Sequence, residues 1–183
     1  VYTIPTIAST CAAVTKISIM YDLNGEFLEI VQLQKPPVHC FIEPNIIVRA
    51  PIKYLWAGIG DTMAKHIEST FSARNDELNF TSELGIKIGE NCYYPILRDA
   101  KKALEDVKAH KLSHEVERTI QNIIITTGCV SLIVDPEYNS ALSHALFYGL
   151  TVRQHIEKGH LHGEVVSYGT LVQLMMDNQM ELL

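Results

Sequence analysis

The period of the hydrophobic pattern changes near residue 50, and this change constrains the fold more than any other feature. Before it, apolar and β-branched residues come in short runs cut by Asn24-Gly25 and Pro36-Pro37. After Pro51 they recur three and four positions apart. A period of two places side chains on alternate faces of a strand, whereas a period near 3.6 gathers them along one side of a helix. The expected architecture is therefore an α/β remnant over residues 1–50 followed by an all-helical domain over residues 51–183. The first part is too small to bury a core of its own and should belong to a larger sheet.

Within the first part, Val1 to Pro5 reads as a short buried strand and Thr6 to Cys11 as a small, hydroxyl-rich loop. Ile17 to Tyr21 and Phe27 to Leu33 flank Asn24-Gly25, the strongest short hairpin signal, because both central residues of a type I′ turn need positive φ. Val38 to Ile42 reads as another strand, closed by Glu43-Pro44-Asn45. Beyond Pro51 the expected helices are Ala50 to Ser69 (one, or two broken at Gly58 and Gly60), Glu83 to Ala109 in two pieces, Ser113 to Cys129, Asn139 to Lys158 and Val165 to Met180.

Composition sets limits on partners. Fifteen basic residues stand against 21 acidic ones, for a net charge of -6. A nucleic-acid or anionic-membrane binder needs clustered Lys and Arg, and no apolar run is long enough to span a bilayer. Cys11, Cys40, Cys92 and Cys129 are widely and unequally spaced, which suggests neither a structural zinc module nor a disulfide scaffold; a reduced, cytoplasmic setting is expected. The first residue is Val1, and the last apolar run, Leu174 to Leu183, reaches the end of the sequence. The chain reads as a piece of a longer protein.

Among eight histidines, His110 and His114 lie in a Lys-rich segment and read as surface residues. His144 has small and apolar neighbours, so it faces an interior, either as a satisfied core histidine or as a ligand. His162, beside Gly163, opens an apolar helix from which it can point into a cleft. Asp61 follows Gly58-Ile59-Gly60 and is either a plain helix N-cap or a ligand. One carboxylate and two imidazoles with a vacant position is the pattern of catalytic zinc, but the three residues lie too far apart in sequence for spacing to establish it.

Taken in order, Pro5-Thr6-Ile7-Ala8-Ser9-Thr10, Asn24-Gly25-Glu26-Phe27, Ala57-Gly58-Ile59-Gly60-Asp61, Ser143-His144-Ala145 and His162-Gly163-Glu164 resemble the glycerol dehydrogenase family, within the superfamily of iron-containing alcohol dehydrogenases and dehydroquinate synthases. The resemblance covers nearly the whole chain. It implies that residues 1–50 end an N-terminal, Rossmann-like NAD-binding α/β domain and that residues 51–183 form part of a metal-binding helical domain, with the active site in the cleft between them. It also implies metal ligands Asp61, His144 and His162, NAD contacts through Thr6 and Ser9, and further cofactor-side positions at Thr15, Ile17 and Tyr21. His160 and Glu164 are candidate partners behind the ligands. The activity implied is hydride transfer from a small polyol or secondary alcohol to NAD, and the partners are a small alcohol or hydroxyketone and further copies of the chain.

Iron-dependent relatives carry Asp and His four residues apart on the first helix. Here that position is Lys65, and His66 is turned a further ~100° round the axis, which favours three ligands and zinc over four and iron. Cys11 occupies the substrate-facing position where the family pattern has an acidic residue, so glycerol itself is in doubt. No G-x-G-x-x-G occurs, and the piece alone should bind NAD poorly. Two alternatives remain: a non-catalytic helical relative, and a cyclase of the dehydroquinate synthase type. The cyclase handles a phosphorylated substrate, and Arg153 and Lys158 are the only Arg or Lys between residues 144 and 170.

Overall fold

The computed structural model describes residues 1–23 and 27–182. Its strand-rich part contains β1 (Tyr2–Thr3), β2 (Ile17–Tyr21), β3 (Phe27–Gln32) and β4 (His39–Cys40). β1 pairs in parallel with β4, with Tyr2 opposite His39 and Thr3 opposite Cys40. β2 and β3 form an antiparallel ribbon running from Ile17 opposite Gln32 to Tyr21 opposite Phe27, with an irregularity between Met20 and Tyr21. The hairpin expectation holds, while its turn, Asn24-Gly25, lies outside the described residues.

Two expectations for this part need correction. Val1 to Pro5 contains a strand, but not a buried one: Val1, Tyr2 and Ile4 are all more than half exposed. Among the described residues no second layer covers either two-stranded pairing, and the ribbon leaves Ile17, Ile19, Leu28 and Ile30 exposed for the same reason. Glu43-Pro44-Asn45 does not simply end β4. Glu43 accepts the Asn45 N–H at 2.9 Å and caps a one-turn helix, α1 (Pro44–Ile47), whose Ile47 enters the core.

The helical part is built round α2 (Ile52–Ala73), which runs unbroken for 22 residues. No break occurs at Gly58 or Gly60, because both are sites of close packing on a buried helix. α3 (Phe80–Gly89) starts at Asn79, whose side chain accepts the Ser82 N–H. A 3₁₀ turn over residues 90–92 separates it from α4 (Tyr94–Lys108), and Pro95 sits in the first turn of α4, where its missing N–H costs nothing. α5 (His114–Gln121) is capped by Ser113. It continues through a π turn over residues 122–126 into α6 (Thr127–Ile133), farther than the sequence pattern reached. The expected helix over Asn139 to Lys158 is two, α7 (Leu142–Thr151) and α8 (Gln154–Gly159). α9 (His162–Met176) begins three residues before the expected start.

The main core gathers Leu55 and Ile59 of α2, Ile96, Ala103 and Val107 of α4, and Val116, Ile120, Ile123 and Ile124 of the α5 segment, with Ala8 and Ile47 from the first part. No described helix is long and apolar enough to cross a membrane.

Two contacts set the spacing round α2. The Ala8 carbonyl lies 2.3 Å from where a Cβ on Gly58 would stand, so the hydroxyl-rich loop rests directly on the helix backbone. A Cβ on Gly163, at the start of α9, would come within 1.9 Å of the Ala57 carbonyl oxygen. Backbone cannot yield as a side chain can. Gly163→Ala is therefore expected to destabilise the fold by about 1–3 kcal/mol, the usual cost of overpacking a core. Urea unfolding followed by circular dichroism checks this, and an unchanged midpoint would contradict the close approach.

Candidate metal centre

The buried face of α2 carries two carboxylates seven residues apart, which is two helical turns. Asp61 is buried, and Glu68 is fully so. Asp61 is not an N-cap, because the helix starts at Ile52. It sits in mid-helix, where no free backbone N–H is near and its carboxylate is available to other elements.

α7 brings in His144. The preceding residue, Ser143, is locked to α9 by bonds from its backbone N–H and its hydroxyl to the Gln173 side-chain oxygen, each 3.2 Å. Glu68 then accepts the backbone N–H of Ala141 at 2.7 Å, the backbone N–H of His144 at 2.9 Å, and a short bond from His144 Nδ1. Burial alone would raise the Glu68 carboxyl, but these N–H bonds outweigh it and hold the pKa below the ordinary carboxylate value. An ionised carboxylate only accepts, so Nδ1 is a protonated nitrogen, and in the neutral ring Nε2 then carries the lone pair. That Nε2 faces Asp61 Oδ1 at 3.9 Å.

α9 supplies His162 as its first residue, with Nε2 3.3 Å from Asp61 Oδ1. The ring of Phe147 meets the His162 ring edge-on, with centroids 4.3 Å apart. One donor atom from each of Asp61, His144 and His162 thus lies within 4.8 Å of the others. Burial pushes the Asp61 carboxyl upward. The hydrogen bond from His162, helped by the nearby Lys65 charge, more than reverses that and holds the Asp61 carboxyl below its ordinary value. An anionic oxygen and a lone-pair nitrogen facing each other in a buried space repel unless a cation or a proton lies between them.

The other sequence-derived positions fall in different places. Cys11 lies close by, its sulfur 3.9 Å from Ser131 Oγ; burial, helped by the Asp61 charge, raises its thiol pKa, so it remains a neutral SH group. Thr6 is exposed and Ser9 half-buried on the same loop, Thr15 is buried, and Ile17 is partly exposed on β2. Tyr21 ends β2, and its side chain lies outside the described residues. Among the described residues none of these makes a polar contact with Asp61, His144 or His162. Glu164 accepts the Leu161 N–H at 3.0 Å and so caps α9, and His160 bonds Glu164 at 3.2 Å; neither makes a hydrogen bond to a candidate ligand among the described residues. His66 is turned away from Asp61 and packs its ring against Tyr93 and Tyr94. His110 and His114 are exposed, as expected of surface residues.

The residue that sequence reasoning missed is Glu68. Its signal was present: an acidic residue two turns from Asp61 within an apolar helix shares its face, and a buried carboxylate there needs donors.

A scan against protein-family models finds no match. Hydroxycarboxylate dehydrogenase A of Escherichia coli K12 is 37% identical over 181 residues, covering 98% of this chain and 50% of that protein. A glycerol dehydrogenase of Pseudomonas putida is 31% identical over 179 residues, covering 95% of this chain and 47% of its own length. Among solved structures, a probable glycerol dehydrogenase from Sinorhizobium meliloti 1021 superposes with a TM-score of 0.83 at 31% identity, over 97% of this chain and 50% of that one. An iron-containing alcohol dehydrogenase from Thermotoga maritima shares the fold at a TM-score of 0.64 and 23% identity, over 90% of this chain and 40% of that one. The chain spans about half the length of the curated relatives it matches. Over that span, this chain is similar in sequence and in fold to proteins named hydroxycarboxylate dehydrogenase and glycerol dehydrogenase.

Proposed function

We propose that the protein is an NAD-dependent, metal-dependent oxidoreductase that exchanges a hydride with a small polyol or secondary alcohol. The observation that carries this reading is the convergence of Asp61, His144 and His162 from three separate helices. Relatives named for glycerol and for hydroxycarboxylates support the class of reaction.

The donor set fits a divalent cation. Two imidazole nitrogens and one carboxylate oxygen form a common catalytic zinc set, which leaves a fourth position open. Metal–ligand bonds of ~2.0–2.1 Å put neighbouring donors roughly 3.3 Å apart in a tetrahedral site. The Asp61–His162 separation of 3.3 Å meets that value, and the Asp61–His144 separation of 3.9 Å is slightly wide. The unbroken helix supports zinc over iron, because Lys65 occupies the position one turn after Asp61 and His66 packs on tyrosines instead.

When bound, the cation acts as a Lewis acid that favours the deprotonated form of an alcohol. NAD supplies the two-electron acceptor. The chain's own residues do the rest. Asp61, held ionised, contributes the anionic ligand, and Glu68 fixes the His144 tautomer so that Nε2 is free to ligate. The hydroxyl-rich loop bearing Thr6 and Ser9, seated on Gly58, offers polar groups to the cofactor. Four unpaired thiols suit a reducing compartment such as the cytoplasm.

After dialysis the full-length protein should retain about one zinc per chain by elemental analysis, and Asp61→Asn or His162→Ala should lose it. Zinc-free protein, or variants that hold zinc as well as the wild type, would contradict the assignment. Zinc-loaded protein should reduce NAD when given glycerol or 1,2-propanediol, read as NADH absorbance.

Glu68→Gln keeps the volume but removes the anionic acceptor. It should weaken zinc binding about 10- to 100-fold in a competing-chelator titration, because the second-shell partner that orients His144 is lost. Unchanged affinity would show that Glu68 has no bearing on the ligand.

A further inference from the structure

Lys65 stands one turn after Asp61 and one turn before Glu68, on the same face of α2. Helical side chains lean toward the N-terminal turn, so its stem covers the turn that carries Asp61. It is only 9% exposed, whereas lysines ordinarily keep the ammonium in water. Its Nζ donates to the Asn139 carbonyl oxygen at 2.9 Å and approaches the Asn139 side-chain oxygen at 3.4 Å. Both acceptors are neutral dipoles, and an ammonium has three N–H groups. Among the described residues no carboxylate forms an ion pair with it. The two acidic groups on its face are engaged elsewhere, Asp61 with imidazoles and Glu68 with three N–H donors. A buried cation without an anion is costly and is a feature that binding sites retain.

The charge balance of the centre indicates what the missing anion is. Asp61 and Glu68 together offset a divalent cation, so Lys65 leaves one positive charge over. A neutral polyol cannot match it, but a monoanionic substrate can. Cys11 agrees with this, since its neutral thiol, unlike an acidic side chain, would not repel a carboxylate.

We propose that Lys65 is a specificity-determining residue that binds the carboxylate of a small 2-hydroxy or 2-oxo acid, making such acids the preferred substrates of this site. This rests on the dehydrogenase reading of Asp61, His144 and His162. In the reducing direction, NADH gives a hydride to the carbonyl carbon, a C–H bond forms as the C=O π bond opens, and the oxygen takes a proton from water, leaving the 2-hydroxy acid and NAD.

Pyruvate and hydroxyacetone test this, because they share a methyl ketone and differ only in carboxylate against hydroxymethyl. The zinc-loaded full-length protein should show a higher kcat/KM for pyruvate. Lys65→Met, which replaces the ammonium with an apolar chain of similar length, should lower the pyruvate-to-hydroxyacetone ratio of kcat/KM about 10- to 100-fold, the scale of one lost charged hydrogen bond. Lys65→Arg should retain part of it. A second readout needs no turnover: oxamate, an unreactive mimic of a 2-oxo acid, should bind the wild type in calorimetry and bind Lys65→Met at least tenfold more weakly, at equal zinc content. An unchanged ratio together with an unchanged oxamate affinity would overturn the proposal, as would a wild type that prefers hydroxyacetone and ignores oxamate. Should neither ketone turn over while oxamate binding still depends on Lys65, the dehydrogenase reading falls and the carboxylate site stands.

Discussion

A fully buried carboxylate must find donors, and the way Glu68 finds them determines how the helical part is arranged. Its three N–H partners all come from the 141–144 segment, two from backbone and one from the imidazole of His144. The first turn of α7 is thereby tied to the middle of α2. The same bonds fix a tautomer. Removal of the anion would leave two backbone donors short of an acceptor and would free the ring to turn over. One interaction therefore couples the packing of two helices to the tautomer of His144, at a place where an apolar side chain would pack at less cost.

The third donor depends on a different constraint. His162 is the first residue of α9, and the position of that helix end relative to Asp61 is set by how closely the α9 backbone approaches α2. Gly163 allows contact with the Ala57 carbonyl, and Gly169 allows the same with Ser143, whose hydroxyl and N–H meet Gln173. Small residues thus bring α2, α7 and α9 close enough for short side chains to converge. A histidine reaches only a few ångströms from its backbone, so the 3.3 Å contact between His162 and Asp61 requires that spacing.

Much of this was legible in the sequence, because periodicity reports which face of an element is buried. The switch near residue 50, the β2–β3 ribbon and the division of α3 from α4 all follow from local pattern and proline chemistry. What local pattern left open has a common cause. Propensity left Gly58 and Gly60 open between one helix and two, and tertiary packing decides for one that runs through both. The apolar Val1 to Pro5 run looks buried, but burial depends on a covering layer that local pattern cannot report. The pair His160 and Glu164 adjoins His162 in sequence and bonds to each other, whereas the carboxylate bonded to His144 is Glu68, distant in sequence. Asp61, His144 and His162 were picked out by resemblance rather than spacing, since separations of 83 (61 to 144) and 18 (144 to 162) residues carry no geometric information.

The position of the candidate centre follows from these constraints. The strand-rich part meets the helical part through the loop from Thr6 to Val14. Ala8 is buried against Gly58, Val14 sits where a Cβ on Gly128 would be, and Cys11 lies beside Ser131. Gly128 and Ser131 both belong to the helix that follows the π turn. A π turn inserts one extra residue per turn and so rotates everything after it by about 100°. Without that insertion Gly128 and Ser131 would face elsewhere. The π turn, although it contributes no ligand, therefore sets where the loop docks and which loop residue, Cys11, comes within electrostatic reach of Asp61 and Lys65. A one-residue irregularity in a helix distant in sequence thus helps to decide which side chain borders the candidate centre.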